Sequence, residues 1–91
     1  ATNGYIIAGY TTSFGSGYRD AWLIKTYSNG TEEWSKTFGG SSFDEAYAVQ
    51  QTSDEGYILA GYTRSFGSGQ TDAWLIKTYS NGTEEWSNTF G

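Results

Sequence analysis

Apolar and β-forming residues fall along this chain in short runs set apart by clusters of Gly, Ser, Asn and Asp. Residues 56–63 (GYILAGYT) and 73–79 (AWLIKTY) are the richest runs, and their composition predicts β-strands. Side chains alternate between the two faces of a strand. Within 73–79 this places Trp74, Ile76 and Thr78 on one face, with Ala73, Leu75, Lys77 and Tyr79 on the other. Within 56–63 it separates Tyr57, Leu59 and Gly61 from Ile58, Ala60 and Tyr62. Both faces of both strands are therefore apolar. A sheet with one wet face should alternate cleanly between apolar and polar, so this one is expected to be covered on both sides. Residues 46–52 (AYAVQQT) form a shorter candidate strand with small Ala46 and Ala48, and 83–90 (TEEWSNTF) a more polar one, suited to an outer edge. Between them lie the turn cluster Ser53-Asp54-Glu55-Gly56, the glycine-rich loop 65–69, and Asn81-Gly82, read as a two-residue hairpin with positive φ at both positions. No stretch carries a helical period. The pattern predicts an all-β unit of four consecutive antiparallel strands, a meander.

That unit is repeated. The segment from Gly4 to Gly39 returns from Gly56 to Gly91, an offset of 52 residues. Residues 1–39 and 53–91 differ at eight positions: Ala1/Ser53, Thr2/Asp54, Asn3/Glu55, Ile7/Leu59, Thr12/Arg64, Tyr18/Gln70, Arg19/Thr71 and Lys36/Asn88. The chain accordingly divides into 1–39, a partial unit with the last three strands, and 40–91, a complete one. Small residues on the first strand, bulky ones in the middle and charge on the last form the gradient that wedge-shaped sheets around an axis require. A four-stranded meander at this period predicts blades of a β-propeller, and an open stack of the same sheets, a β-solenoid or fibre, is the alternative. A unit of this kind cannot bury its own faces alone, and stacked repeats generally need three or more copies. The residues before Ala1 in a longer parent are expected to read approximately GSSFDEAYAVQQ.

The stretch LIKTYSNGTEEWSKTFGG, residues 23–40, resembles the repeated segment of quinoprotein-like propellers, in which a Trp follows a turn glycine by four residues. Gly30 and Trp34, and Gly82 and Trp86, have that spacing. The resemblance implies that Trp34 and Trp86 dock between adjacent blades. The whole unit is also similar to propeller repeats of large archaeal and bacterial surface proteins. None of the residues that bind quinone and calcium in the quinoprotein enzymes maps onto this chain, so no cofactor is carried over.

Composition narrows the chemistry. The chain has 91 residues with ten acidic and five basic side chains, a net charge of −5, and no His, Cys, Met or Pro. The lack of His and Cys removes thiolate nucleophiles, Ser-His-Asp triads and zinc sites of ordinary ligand type. An acidic balance argues against nucleic acid as a partner, and no apolar run is long enough for a membrane-spanning helix. Aromatics at 19% and thirteen glycines fit a chain that folds around Trp, Tyr and Phe through tight turns. The adjacent pairs Glu32-Glu33 and Glu84-Glu85 point to opposite faces, which suits solvated edge charge better than an acid-base pair. Asp44-Glu45 and Asp54-Glu55 are placed in turns at the two ends of the first strand, and Asp20 and Asp72 are expected to pin the glycine-rich loops. Tyr5, Tyr10, Tyr57, Tyr62, Trp22 and Trp74 are expected in the core.

Three functional readings follow. The first is a non-enzymatic structural or interaction module, part of a repetitive propeller array for cell-surface adhesion, display or self-assembly, whose partners are further copies of the same repeat. Its extracellular setting would make the sequons Asn29-Gly30-Thr31 and Asn81-Gly82-Thr83 candidate glycosylation sites at Asn29 and Asn81. The second is a propeller binding carbohydrate or a small ligand through the loop residues Tyr18, Arg19 and Gln70, where the two copies diverge. The third is a fragment of a quinoprotein-like enzyme. No catalytic, cofactor or metal residue is assigned.

Overall fold

A computed structural model describes residues 4–12, 19–40, 42–65 and 71–90. Among them the chain is all-β, with seven strands and no helix. Strands β1 (Tyr5–Thr11), β2 (Asp20–Thr26) and β3 (Glu32–Phe38) form a three-stranded antiparallel sheet in sequence order. Strands β4 (Asp44–Gln51), β5 (Tyr57–Thr63), β6 (Asp72–Thr78) and β7 (Glu84–Phe90) form a four-stranded one in the same manner. Both are meanders, each strand pairing with its chain neighbour. The register of β1 on β2 (Ile7 opposite Ile24, Gly9 opposite Trp22) recurs in β5 on β6 (Leu59 opposite Ile76, Gly61 opposite Trp74).

The two sheets stack, with β4 lying against β1 and β2. The first sheet contributes the face carrying Ala21, Leu23 and Phe38, and the second the opposite kind of face, carrying Tyr57, Leu59, Trp74 and Ile76. These residues, with Ala46, are the buried core, and Ile6, Ala8, Trp34 and Val49 pack around them. Leu23 is wholly buried, and Leu59 and Ile76 are each 1% exposed. Fully burying such a side chain is worth roughly 1.5–3 kcal/mol, so a handful of aliphatic and aromatic groups supply most of the adhesion between sheets. Each sheet is covered on one face, where the sequence pattern asked for two.

Turns carry a second difference. The Asn-Gly hairpins are wider than two residues: the Gly30 N–H donates to the Tyr27 carbonyl at 2.9 Å, and the Tyr27 N–H to the Thr31 carbonyl at 2.8 Å. Only Gly30 has positive φ (+87°), and Gly82 matches it at +86°. Asn29 and Asn81 instead use their amide oxygens to accept the N–H of Thr31 and Thr83, each at 3.0 Å. A side chain that closes the turn this way needs no left-handed backbone at Asn. The β4–β5 turn repeats the scheme with Glu55 (φ +70°) in the glycine position.

Asp44 and Glu45 are not turn residues. They open β4 and are almost completely buried, at 0% and 3% exposure. Buried charge survives only where it is bonded, and Asp44 meets that condition. Its carboxylate accepts hydrogen bonds from the Thr63 hydroxyl, the Ser65 hydroxyl at 2.8 Å and the Gly40 N–H at 3.0 Å. Asp20 and Asp72 likewise sit buried at the first positions of β2 and β6. The loops they were expected to pin lie outside the described residues.

Candidate functional site

The surfaces with most chemical consequence are the two outer faces of the stack. Because alternation is fixed by the strand, covering the Leu23 face of the first sheet leaves its Trp22 face outward. Covering the Trp74 face of the second sheet leaves its Leu75 face outward. The first outer face presents Tyr5 and Ile7, 62% and 48% exposed, beside half-buried Trp22 and Ile24. Their counterparts 52 residues on, Tyr57, Leu59, Trp74 and Ile76, are all at least 96% buried. An open groove of about 360 Å³ runs beside Trp22, lined by Glu32, Ser35, Lys36 and Thr37. On the second outer face Ala48, Gln50, Ile58, Ala60 and Leu75 border a smaller one of about 190 Å³.

Trp34 and Trp86 occupy unlike settings. Trp34 reaches across to the second sheet, where its ring stands edge-on to Tyr57 with centroids 6.0 Å apart. It also covers the hairpin glycine Gly82. A Cβ added there would come within 2.5 Å of Trp34 Cζ3, while one added to Gly30 would meet nothing within 4 Å. Trp86 lies on the outer face of the second sheet, 41% exposed. Asn29 and Asn81 are both exposed at their turns.

Of the three loop residues singled out for ligand contact, Tyr18 and Gln70 lie outside the described residues. Arg19 is engaged at the junction between the sheets. Its guanidinium forms an ion pair with Glu45 at the start of β4 and lies 4.6 Å from the Tyr10 ring centroid and 5.5 Å from that of Phe43. Its backbone joins the same clasp, with the Asp44 N–H donating to the Arg19 carbonyl at 2.8 Å. Burial pushes the Glu45 carboxyl up, but hydrogen bonds from Tyr47 and Arg19 outweigh it and hold the group below the usual carboxylate range. The same bond raises the Tyr47 phenol, since it favours the protonated hydroxyl.

Lysines were overlooked in the sequence pattern. Lys25 and Lys77 fall on the same face as Leu23 and Leu75, yet both are buried, because each ammonium folds back onto the next residue's carbonyl and a glutamate across the hairpin. Lys77 adds Asp54 at 3.1 Å. Burial lowers the Lys77 ammonium, and the bonds to Asp54 and Glu85 more than reverse it, leaving a net rise. Asp54 is drawn down to about 2 by the Thr52 hydroxyl, Lys77 and the Gly56 N–H. The signal that could have found these bonds was the short spacing from Lys25 to Glu33 and from Lys77 to Glu85 across a hairpin.

No family model matches this chain, and no curated protein matches it.

Proposed function

We propose that the chain is a non-enzymatic structural and interaction module whose sheets stack as propeller blades, extending through its two outer faces onto further copies of the same repeat at a cell surface. One observation carries the reading. The residue types buried between the two sheets recur, nearly unchanged, on the faces left outside: Leu75 for Leu23, Ile24 for Ile76, Trp22 for Trp74 and Tyr5 for Tyr57. The Trp22 face is a near copy of the face that receives Leu23, and the Leu75 face a near copy of the one that supplies it. The contact is thus head-to-tail, and such contacts build a ring if the rotation closes or a filament if it does not. Trp34 on Gly82 supports docking by the turn-following Trp, and the exposed Trp86 is its counterpart for the next copy. The exposed turns at Asn29 and Asn81 leave both sequons accessible, as an extracellular setting would use them.

Sedimentation velocity over a hundredfold concentration range tests this. The expected result is mass growing in whole multiples of the 10.0 kDa chain. A single 10.0 kDa species at every concentration overturns it.

A further inference from the structure

The edge of the first sheet, as distinct from its faces, holds a second site. Strand β1 is a sheet edge, whereas its counterpart β5 is flanked by β4. Sheet edges are normally blunted by charge, proline or a covering element. Strand β1 reads YIIAGYT, seven residues without a charge or a proline, while the outer strands β3 and β7 carry two glutamates each and β4 opens with Asp44 and Glu45. The edge is also shaped for a particular neighbour. Opposite Gly61, β4 bulges between Ala46 and Ala48, and a Cβ on Gly61 would overlap the Glu45 carbonyl oxygen. Gly9 occupies the same place in β1, and a Cβ there would meet nothing within 4 Å. Strands β1 and β5 differ only at Ile7/Leu59. Every position that β4 pairs on β5, from Tyr57 to Thr63, therefore has its like on β1, from Tyr5 to Thr11. Thr11, the counterpart of the Thr63 that donates to Asp44, is buried at the matching end.

We propose that the β1 edge is a strand-addition site whose occupant is an antiparallel segment with the chemistry of residues 40–52: acidic at the end facing Thr11, small and bulged opposite Gly9, amide-bearing toward Tyr5. Backbone hydrogen bonds to the edge supply affinity, and the bulge over Gly9 supplies register and selectivity. The site uses backbone at an edge and is independent of face-to-face stacking.

The probe is a synthetic peptide of residues 40–52, with a scrambled version beside it, added to the full 91-residue chain. Calorimetry should give one site per chain, and hydrogen exchange should slow in β1. Gly9→Val places a side chain where the bulge must sit, so binding should weaken by about tenfold or more. Near-UV circular dichroism of that variant should match wild type, since the position is open. Leu75→Asp, on a remote outer face, should bind the peptide as wild type does. Absence of binding, equal binding by Gly9→Val or by the scrambled peptide, or protection at another strand overturns the site. Peptide binding by a chain that stays at 10.0 kDa would leave the edge site standing and remove the stacking proposal, and the converse result would do the reverse.

Discussion

The two sheets make a controlled comparison, because they carry nearly the same strands in different surroundings. Leu23 and Leu75 sit at equivalent positions in β2 and β6, yet Leu23 is fully buried and Leu75 only half-buried. For the tryptophans on the opposite face the order reverses, with Trp74 at 4% exposure and Trp22 half-buried. Identical side chains with identical local strand geometry thus differ in what they contribute, and the difference comes from which neighbour is present. Burial here belongs to the junction between units.

That makes paired substitutions informative. The largest contrast is expected for Leu23→Ala against Leu75→Ala. A wholly buried leucine should cost roughly 3 kcal/mol on truncation, and its half-buried counterpart about 1 kcal/mol, read as chemical denaturation midpoints at a concentration where the chain is monomeric. Equal losses would break the comparison. Next come the glycines. Gly61→Ala forces β4 off β5 and should cost about 2–3 kcal/mol, while Gly9→Ala should change stability by about 0.5 kcal/mol or less. Gly82→Ala against Gly30→Ala sharpens the point. Both lose a left-handed glycine, at a cost of about 1 kcal/mol, but only at Gly82 must the Trp34 ring also move, so the two thermal midpoints should separate.

Smaller effects lie in the β4–β5 turn. Glu55 holds φ +70° where the hairpins use glycine, and Glu55→Asn should stabilise by about 0.5 kcal/mol because Asn tolerates that conformation better. Asp54 provides the pH probe. Its folded value of about 2 lies below its ordinary 3.8, so its contribution is present above pH 4 and fades as pH falls through 2. Denaturation midpoints of wild type and Asp54→Asn should therefore differ most above pH 4 and draw together as pH falls to 2 and below. A gap that does not shrink between pH 4 and pH 2 would contradict the carboxylate's bonds to the Thr52 hydroxyl, Lys77 and the Gly56 N–H as its source.

The elements were legible in the sequence because strand alternation and turn residues are local signals. Strand limits moved by one or two positions, most of all at β4, where Asp44 and Glu45 read as turn formers. Their burial depends on Thr63, Ser65 and Arg19, which are distant in the chain, and no local pattern encodes that. The hairpins kept their place but changed type, since the Asn29 amide closes the turn and leaves the left-handed position to Gly30 alone. Tyr5 and Tyr10 were expected in the core on the same grounds as Tyr57 and Trp74. Tyr5 is exposed because it lies on the uncovered Trp22 face, whereas Tyr10 shares the covered face with Ala21 and is left open near the end of β1, where the Arg19 guanidinium lies over its ring. Periodicity states which face is apolar; it does not say which face has a partner.

The central claim is that the Trp22 face of one copy receives the Leu75 face of another, and complementation of two blocked variants tests it most directly. Ile24→Asp blocks the first face and Leu75→Asp the second, so neither variant can extend beyond the contacts of the single free face it keeps. Mixed in equal amounts, they retain one intact pair of unlike faces. Sedimentation equilibrium should then show the variants alone at the 10.0 kDa chain mass and the mixture at twice that mass, without larger species. A mixture that stays at the chain mass, or a single variant that still dimerises, would contradict head-to-tail stacking.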